Sequence, residues 1–286
     1  MAQCDVCFRH CEIKENGIGF CRARGNIDGK IKPLNYGRIT SFALDPIEKK
    51  PLRNFYPGSR ILSVGSYGCN LRCPFCQNNE ISWGDEVDSW PEKTRVITPE
   101  DIVEEALYYK NRGNIGVAYT YNEPLVGYEF VRDTAKLVHD AGMVNVVVTA
   151  GGVSLHVLEE LSPYIDAMNI DIKAFSESYY KDFLKSELQT VIAFITAAVK
   201  VCHVELTTLI VPGKNDSDEE MRALSSWISS LTDSCGNSVG NEIPLHVSRF
   251  FPTFRYTEGE PTEVSSVYHL AEVAREKLKH VYTGNC

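Results

Sequence analysis

Three cysteines, Cys69, Cys73 and Cys76, stand at a C-x3-C-x2-C spacing directly after the apolar run Ile61-Leu62-Ser63-Val64. A strand feeding a loop that contains Gly65 and Gly68 can turn three thiolates onto one small volume. Thiolates select soft metals, and cysteine-held iron–sulfur clusters lead the candidates. A fourth cysteine would close a four-iron cluster. Three leave one iron open, much as a catalytic zinc keeps a position that a structural zinc lacks. A zinc knuckle, or simply inert buried thiols, is the alternative reading of the same residues. A second set, Cys4, Cys7, Cys11 and Cys21, is spaced C-x2-C-x3-C-x9-C in a stretch rich in charge and glycine. Such a stretch cannot build a core of its own, so a metal is expected to order it. Four thiolates give a closed tetrahedral site of the structural-zinc kind, and a second iron–sulfur cluster has the same ligand number. Zinc is the first expectation. His10 has the right chemistry for a substitute ligand, but four cysteines suffice and it reads as a solvated loop residue.

Composition bounds what these thiols serve. The chain has 286 residues, 43% of them hydrophobic, enough for one large α/β domain with a small appendage. A net charge of −9 argues against sequence-independent nucleic-acid binding, which rests on Lys and Arg contacts to phosphate. No run approaches the ~20 apolar residues that span a bilayer. Met1-Ala2-Gln3-Cys4-Asp5 has neither the basic nor the apolar region of a signal peptide. A cytoplasmic setting with reduced cysteines follows. Seven of the 10 cysteines fall within the first 76 residues, and that clustering favours metal sites over general core use.

The elements that must position the thiols are read from hydrophobic pattern and caps. Residues 31–60, broken by Pro33, Pro46, Pro51 and Pro57-Gly58, read as a connector without long helices. Within it Ile39-Thr40-Ser41-Phe42-Ala43-Leu44 forms a strand or lies over the main domain. Beyond it, strands are predicted at 60–65, 115–120, 144–149, 167–172, 203–211 and 244–248, and helices at 98–111, 126–141, 154–162, 187–200, 217–231 and 263–279. Thr98-Pro99-Glu100-Asp101 is a strong helix start, with an N-cap Thr, Pro at the first helical position and acids in the first turn. Asp216-Ser217-Asp218-Glu219 opens another helix in the same way. Repeated βα units imply parallel strands with right-handed crossovers. Six units are too few for a closed eight-stranded barrel, so a partial (β/α)6 barrel is expected. The boundaries are residues 1–58 for the Cys-rich segment and connector, and 59–286 for the barrel.

In such folds function gathers at the C-terminal ends of the strands. Those ends here carry Tyr121-Asn122-Glu123-Pro124, Thr149-Ala150-Gly151-Gly152, Asp171-Ile172-Lys173, Thr207 (or Glu205) and His246. Asn122 tolerates left-handed backbone and is expected to make the bend before Glu123. Asp171 and Lys173 share a face because strand side chains alternate. They could serve a ligand or form a rim ion pair. His246 reads almost equally as a satisfied core histidine. Arg249 and Arg255 flank Phe250, Phe251, Pro252 and Phe254, an aromatic–basic loop that could bind substrate or close the barrel mouth.

Taken together, the Cys69–Cys76 segment resembles the signature of the radical S-adenosylmethionine (SAM) enzymes, with Phe75 in the matching aromatic position. The resemblance covers nearly the whole chain. It implies a partial barrel, a 4Fe-4S cluster on Cys69, Cys73 and Cys76, and SAM chelating the open iron. Reductive cleavage of SAM to a 5′-deoxyadenosyl radical, and hydrogen abstraction from a substrate, are then expected. SAM-site roles are implied for Phe75, Asn122, Glu123, Thr149, Asp171, Lys173, Thr207 and His246, with Glu123-Pro124 matching the family's Gly-Gly-Glu-Pro end and Asp171-x-Lys173 matching the glycyl-radical activating enzymes. Asp45-Pro46-Ile47-Glu48-Lys49-Lys50-Pro51-Leu52, Tyr119 to Pro124, His246 to Phe250 and Val281 to Asn285 are most similar to the AmmeMemoRadiSam branch, a group of pyruvate formate-lyase activating enzyme homologues. That branch implies Ammecr-type and Memo-type partner proteins and an electron donor such as flavodoxin or ferredoxin. A protein or peptide substrate is expected, with a small-molecule substrate as the alternative. A non-catalytic electron-transfer protein is the third reading, and an open iron suits it poorly.

Overall fold

The computed structural model describes residues 1–286. The chain begins with two small ribbons: β1 (Ala2–Gln3) pairs antiparallel with β2 (Glu12–Ile13), and β3 (Arg24–Ile27) with β4 (Lys30–Pro33). The main sheet has eight strands, formed by β5 (Ser41–Pro46), β6 (Arg60–Gly65), β7 (Asn114–Tyr119), β8 (Val144–Thr149), β9 (Ala167–Asp171), β10 (His203–Ile210), β11 (Leu245–Arg249) and β12 (Val281–Gly284). They lie side by side in chain order. β6 through β12 are parallel, and β5 is an antiparallel edge on β6. This is a partial, TIM-like barrel, open between β5 and β12. The six predicted strands are all present. β12 is a seventh parallel strand that the pattern did not reveal, and 41–46 proves to be an edge strand.

Two short helices, α1 (Asn79–Ser82) and α2 (Trp90–Lys93), lie in the long passage after β6. The crossover helices are α3 (Pro99–Tyr108), α4 (Tyr128–Asp140), α5 (Leu155–Leu161), α6 (Leu188–Ala198), α7 (Asp218–Ser229) and α8 (Val264–Arg275). α3 starts on a capping box: Asp101 N–H donates to Thr98 Oγ1 at 3.2 Å and Thr98 N–H to Asp101 Oδ2 at 2.9 Å. Ser217 caps α7 through Glu220 N–H at 3.2 Å.

Outward strand residues such as Leu62, Val117, Val147, Met168, Leu206 and Leu245 pack into the main core with the helices. The inward residues Ile61, Ala118, Val146 and Ala167 meet something different. Their partners are Ile47 and Leu52 of the connector, both fully buried. The connector therefore runs into the barrel and fills its interior. Its backbone ends on polar inward groups. Pro51 C=O accepts from Asn169 Nδ2 at 2.9 Å, and the N–H groups of Arg53 and Asn54 donate to the Glu205 carboxylate at 2.9 and 2.7 Å. The expected 58/59 boundary thus falls between a segment inside the barrel and the strand beside it.

Candidate active site

The loop after β6 is fixed from both sides. Gly68 adopts φ +94°, and a Cβ there would stand 2.6 Å from Cys21 C=O and 2.7 Å from Ala23 Cβ. Only glycine lets the loop press this closely on the N-terminal segment. Cys69 N–H then donates to Cys21 C=O at 3.1 Å. From the other side, Asn122 Oδ1 accepts from Ser66 N–H at 3.1 Å and its Nδ2 donates to Gly68 C=O at 3.0 Å.

The result is that Cys69, Cys73 and Cys76 open onto one cavity of about 350 Å³, at the C-terminal ends of the strands. Phe75, Asn122, Glu123, Thr149, Asp171, Lys173 and Thr207 share its wall. Burial pushes the Cys73 thiol up to about 12 and raises Cys69 and Cys76 as well. Thiolates here therefore need a metal to hold their charge. A cluster takes its thiolates at separate corners, and the triad around this cavity suits one.

Each polar wall residue has a visible job. Glu123 is fully buried and clasps two strand ends. Its Oε1 accepts from Thr149 Oγ1 at 2.7 Å and Leu125 N–H at 3.1 Å, and its Oε2 from Ala150 N–H at 2.8 Å. Burial raises its pKa, and these three donors work against the rise. Asp171 and Lys173 form an ion pair at 2.8 Å. Burial opposes the charge on Lys173, but Asp171 and Cys73 outweigh it and keep the ammonium above its usual range. Thr207 Oγ1 lies 2.9 Å from Asn169 Nδ2. Phe75 packs with Phe183 and Phe250, at ring-centroid distances of 5.6 and 6.0 Å.

Two expectations change. The left-handed residue in the β7 turn is Tyr121, at φ +75°, not Asn122. Tyr121 is held there because its Oη donates to Asp45 Oδ2 at 2.7 Å, while Asn122 is occupied bracing the cysteine loop. Asp45, also 2.9 Å from Lys50 Nζ, stays far below the usual carboxylate range despite its burial. His246 does not reach the cavity wall. It faces inward but lies below the cavity, with Nε2 2.7 Å from Glu205 Oε2. Glu205 is held down to about 2: burial opposes this, but His203, His246 and the two connector N–H groups outweigh it.

Residues given no site role from the sequence also shape the site. Lys49, Lys50, Ser248 and Asn285, quoted only as parts of the branch-like stretches, line the cavity, the last standing just after the unpredicted β12. Asn70, between the first two cysteines, is fully buried and donates from Nδ2 to Gly152 C=O at 2.7 Å. The aromatic–basic loop docks on the cysteine loop, with Arg255 N–H donating to Pro74 C=O at 2.9 Å. Phe250 and Phe251 complete the cavity wall.

The N-terminal cysteines gather beside this site. Cys4, Cys7 and Cys21 are buried and Cys11 half-buried, while His10 is exposed. Cys4 N–H donates to Cys11 C=O at 2.9 Å and His10 N–H to Cys7 C=O at 3.1 Å, folding the segment back on itself. The segment packs against the outside of the cysteine loop and the β8 turn, where Ser154 N–H donates to Val6 C=O at 2.9 Å. No residue before Lys49 lines the cavity.

Comparison with known proteins points in one direction. The profile of the Radical SAM superfamily matches residues 63–228. An uncharacterized protein of Methanocaldococcus jannaschii is 40% identical over 99% of this chain and 81% of its own length. The pyruvate formate-lyase-activating enzyme of Clostridium pasteurianum is 30% identical over 61% of this chain and 71% of its own. Among solved structures, Streptococcus suis SuiB bound to S-adenosylmethionine superposes with a TM-score of 0.57 at 13% identity, over 77% of this chain and 48% of SuiB, a likeness of fold.

Proposed function

The chain belongs to the radical SAM superfamily, and from that membership we propose that Cys69, Cys73 and Cys76 hold a 4Fe-4S cluster whose open iron takes SAM. When bound, the cluster and SAM supply reductive cleavage to methionine and a 5′-deoxyadenosyl radical that removes a hydrogen atom from substrate. The observation that carries the reading is one cavity onto which the three cysteines and the Asp171–Lys173 pair all open. Its volume lies within the ~300–1,000 Å³ of small-molecule sites.

The chain's own residues then divide the work. Glu123, through Thr149 and the Ala150 N–H, fixes the strand ends that flank SAM. Asn122 braces the cysteine loop, and Phe75 offers an apolar face for the adenine. Asp171 is suited to accept from ribose hydroxyls and Lys173 to hold the SAM carboxylate. Thr207 shapes the far wall. His246 acts one layer down, positioning Glu205 rather than touching SAM. The test is anaerobic reconstitution with iron, sulfide, SAM and dithionite, following 5′-deoxyadenosine. The Cys73→Ala variant is expected to lose both the cluster absorbance and the product. Product formed at the unaltered rate by that variant would sink the assignment.

The substrate we propose is a protein or peptide, as for the activating enzymes the chain resembles. Support comes from the 30% identical C. pasteurianum activating enzyme and from a cavity that the N-terminal segment leaves uncovered. The motifs around Asp45-Pro46 and Glu123-Pro124 support placement in the AmmeMemoRadiSam branch, with Ammecr-type and Memo-type proteins as partners and a flavodoxin- or ferredoxin-type electron donor. A reducing, cytoplasmic setting is supported by the clustering of seven of the ten cysteines at metal-ligand spacings. No helix is long and apolar enough to cross a membrane. A small-molecule substrate is the second reading, favoured by the modest cavity. Deuterated partner proteins decide between them: deuterium in 5′-deoxyadenosine supports the protein substrate, and label arriving only from a metabolite pool overturns it.

A further inference from the structure

We propose that Cys4, Cys7, Cys11 and Cys21 bind metal as a tetrathiolate centre, that Arg9 and Arg72 are its counter-charges, and that through them the centre holds the loop carrying Cys69. The first observation is the arginines. Their guanidiniums stack on the two sides of Phe20, 3.3 and 3.8 Å from its centroid, between the two cysteine sets. Every hydrogen bond they make ends on a backbone carbonyl. Arg9 donates to Asn70 at 2.8 Å and to Lys185, and Arg72 donates to Cys69 at 2.9 Å, Leu71 at 2.6 Å and Phe20. Neither has a carboxylate. Their neighbour Arg24 shows the ordinary arrangement, paired with Glu129 at 2.7 Å.

Two half-buried like charges brought onto one ring repel each other unless an anion lies near. The anion-forming groups beside them are cysteines: Arg9 lies two residues from both Cys7 and Cys11, Arg72 donates to Cys69 C=O, and both stack on Phe20, which precedes Cys21. Zinc on four thiolates, and an oxidised 4Fe-4S cluster on four thiolates, both carry a net charge of about −2. Two guanidiniums balance that charge. A single zinc, the first expectation, and a four-iron cluster both take four thiolates.

The second observation is how firmly this segment holds the radical-site loop. Cys21 C=O receives Cys69 N–H, Gly68 is pressed against Cys21 and Ala23, and Arg72 reaches back from inside the loop to Phe20. Asn70, buried between them, tethers the same loop to the β8 turn. A centre that orders residues 4–21 thereby sets where Cys69 stands.

The test starts from the variant Cys69→Ser/Cys73→Ser/Cys76→Ser, prepared anaerobically, so that remaining metal reports the N-terminal set alone. Expected is about four iron with sulfide, or about one zinc, per folded chain. A folded chain with neither overturns the site. In that background Arg9→Gln should speed metal loss to a competing chelator about tenfold or more, with Arg9→Lys restoring retention. Equal retention in all three overturns the counter-charge role. The coupling rests on the radical SAM reading and is tested separately. Cys11→Ser in the otherwise native chain should shift the electron paramagnetic resonance signal of the reduced radical-site cluster. An unchanged spectrum overturns the coupling alone, whereas a native chain that binds no more iron than the triple variant overturns the radical-site reading and not this one.

Discussion

Asp171 and Lys173 show how much a two-residue spacing can and cannot say. Alternation along a strand predicts one shared face, and although β9 ends at Asp171 the two meet at 2.8 Å on the cavity wall. His246 obeyed the same alternation and faces inward, but a carboxylate two positions into a neighbouring strand's interior captured it, which no local pattern shows. Tyr121 is another case. A tyrosine at φ +75° is strained, and it holds that angle only because Asp45, 76 residues away, takes its hydroxyl. If Asp171 and Lys173 hold SAM, Asp171→Asn and Lys173→Gln should each weaken binding without bleaching the cluster. Hydrogen bonds to charged groups are worth about 1.5–3 kcal/mol, roughly tenfold to more than a hundredfold in affinity. Equilibrium dialysis of SAM against the reconstituted variants reads this directly, and unaltered affinity in both would refute the assignment.

The strands and helices were largely legible, since each rests on periodicity and caps that act within a few residues. Thr98-Pro99-Glu100-Asp101 forms the capping box its letters suggest. β12 escaped because four residues near the chain end carry too little pattern. The connector escaped for a different reason: a Pro-broken segment reads only as a connector without long helices, yet Ile47 and Leu52 are fully buried inside the barrel. Its docking depends on Glu205, whose side chain has no exposure. The folded carboxyl is depressed from 4.5 to about 2. A depressed acid stabilises the fold above its unfolded pKa and loses that contribution as pH falls through the folded one. Stability on the order of 3 kcal/mol should therefore drain away between about pH 4.5 and 2. Thermal unfolding of the apo-protein across that range should show a steep acid limb that Glu205→Gln flattens. An equally steep limb in that variant would place the acid sensitivity elsewhere.

At the scale of the whole molecule, seven parallel strands and one antiparallel edge leave an open sheet whose rim meets the Cys-rich segment at the cysteine loop. The two parts share Cys21 with Cys69 and the connector with the barrel interior, so a division at 58/59 is a division of sequence more than of structure. A chain begun at residue 59 should show this. It would expose Ile61, Ala118, Val146 and Ala167 to an empty interior and leave Glu205 buried without its two N–H donors. Loss of a cooperative melting transition is expected on circular dichroism. A truncated chain melting like the intact one would argue that the connector is ornamental.

The filled interior also orders events in time. Residues 51–54 leave the ribosome before any of the parallel strands, yet their partners Asn169 and Glu205 follow 118 and 152 residues later. Ile47 and Leu52 can settle on β6 to β8 as those strands appear, but the backbone of Pro51, Arg53 and Asn54 has no polar partner until β9 and β10 have been made. Assembly of the cavity wall that carries Thr207 is therefore a late step.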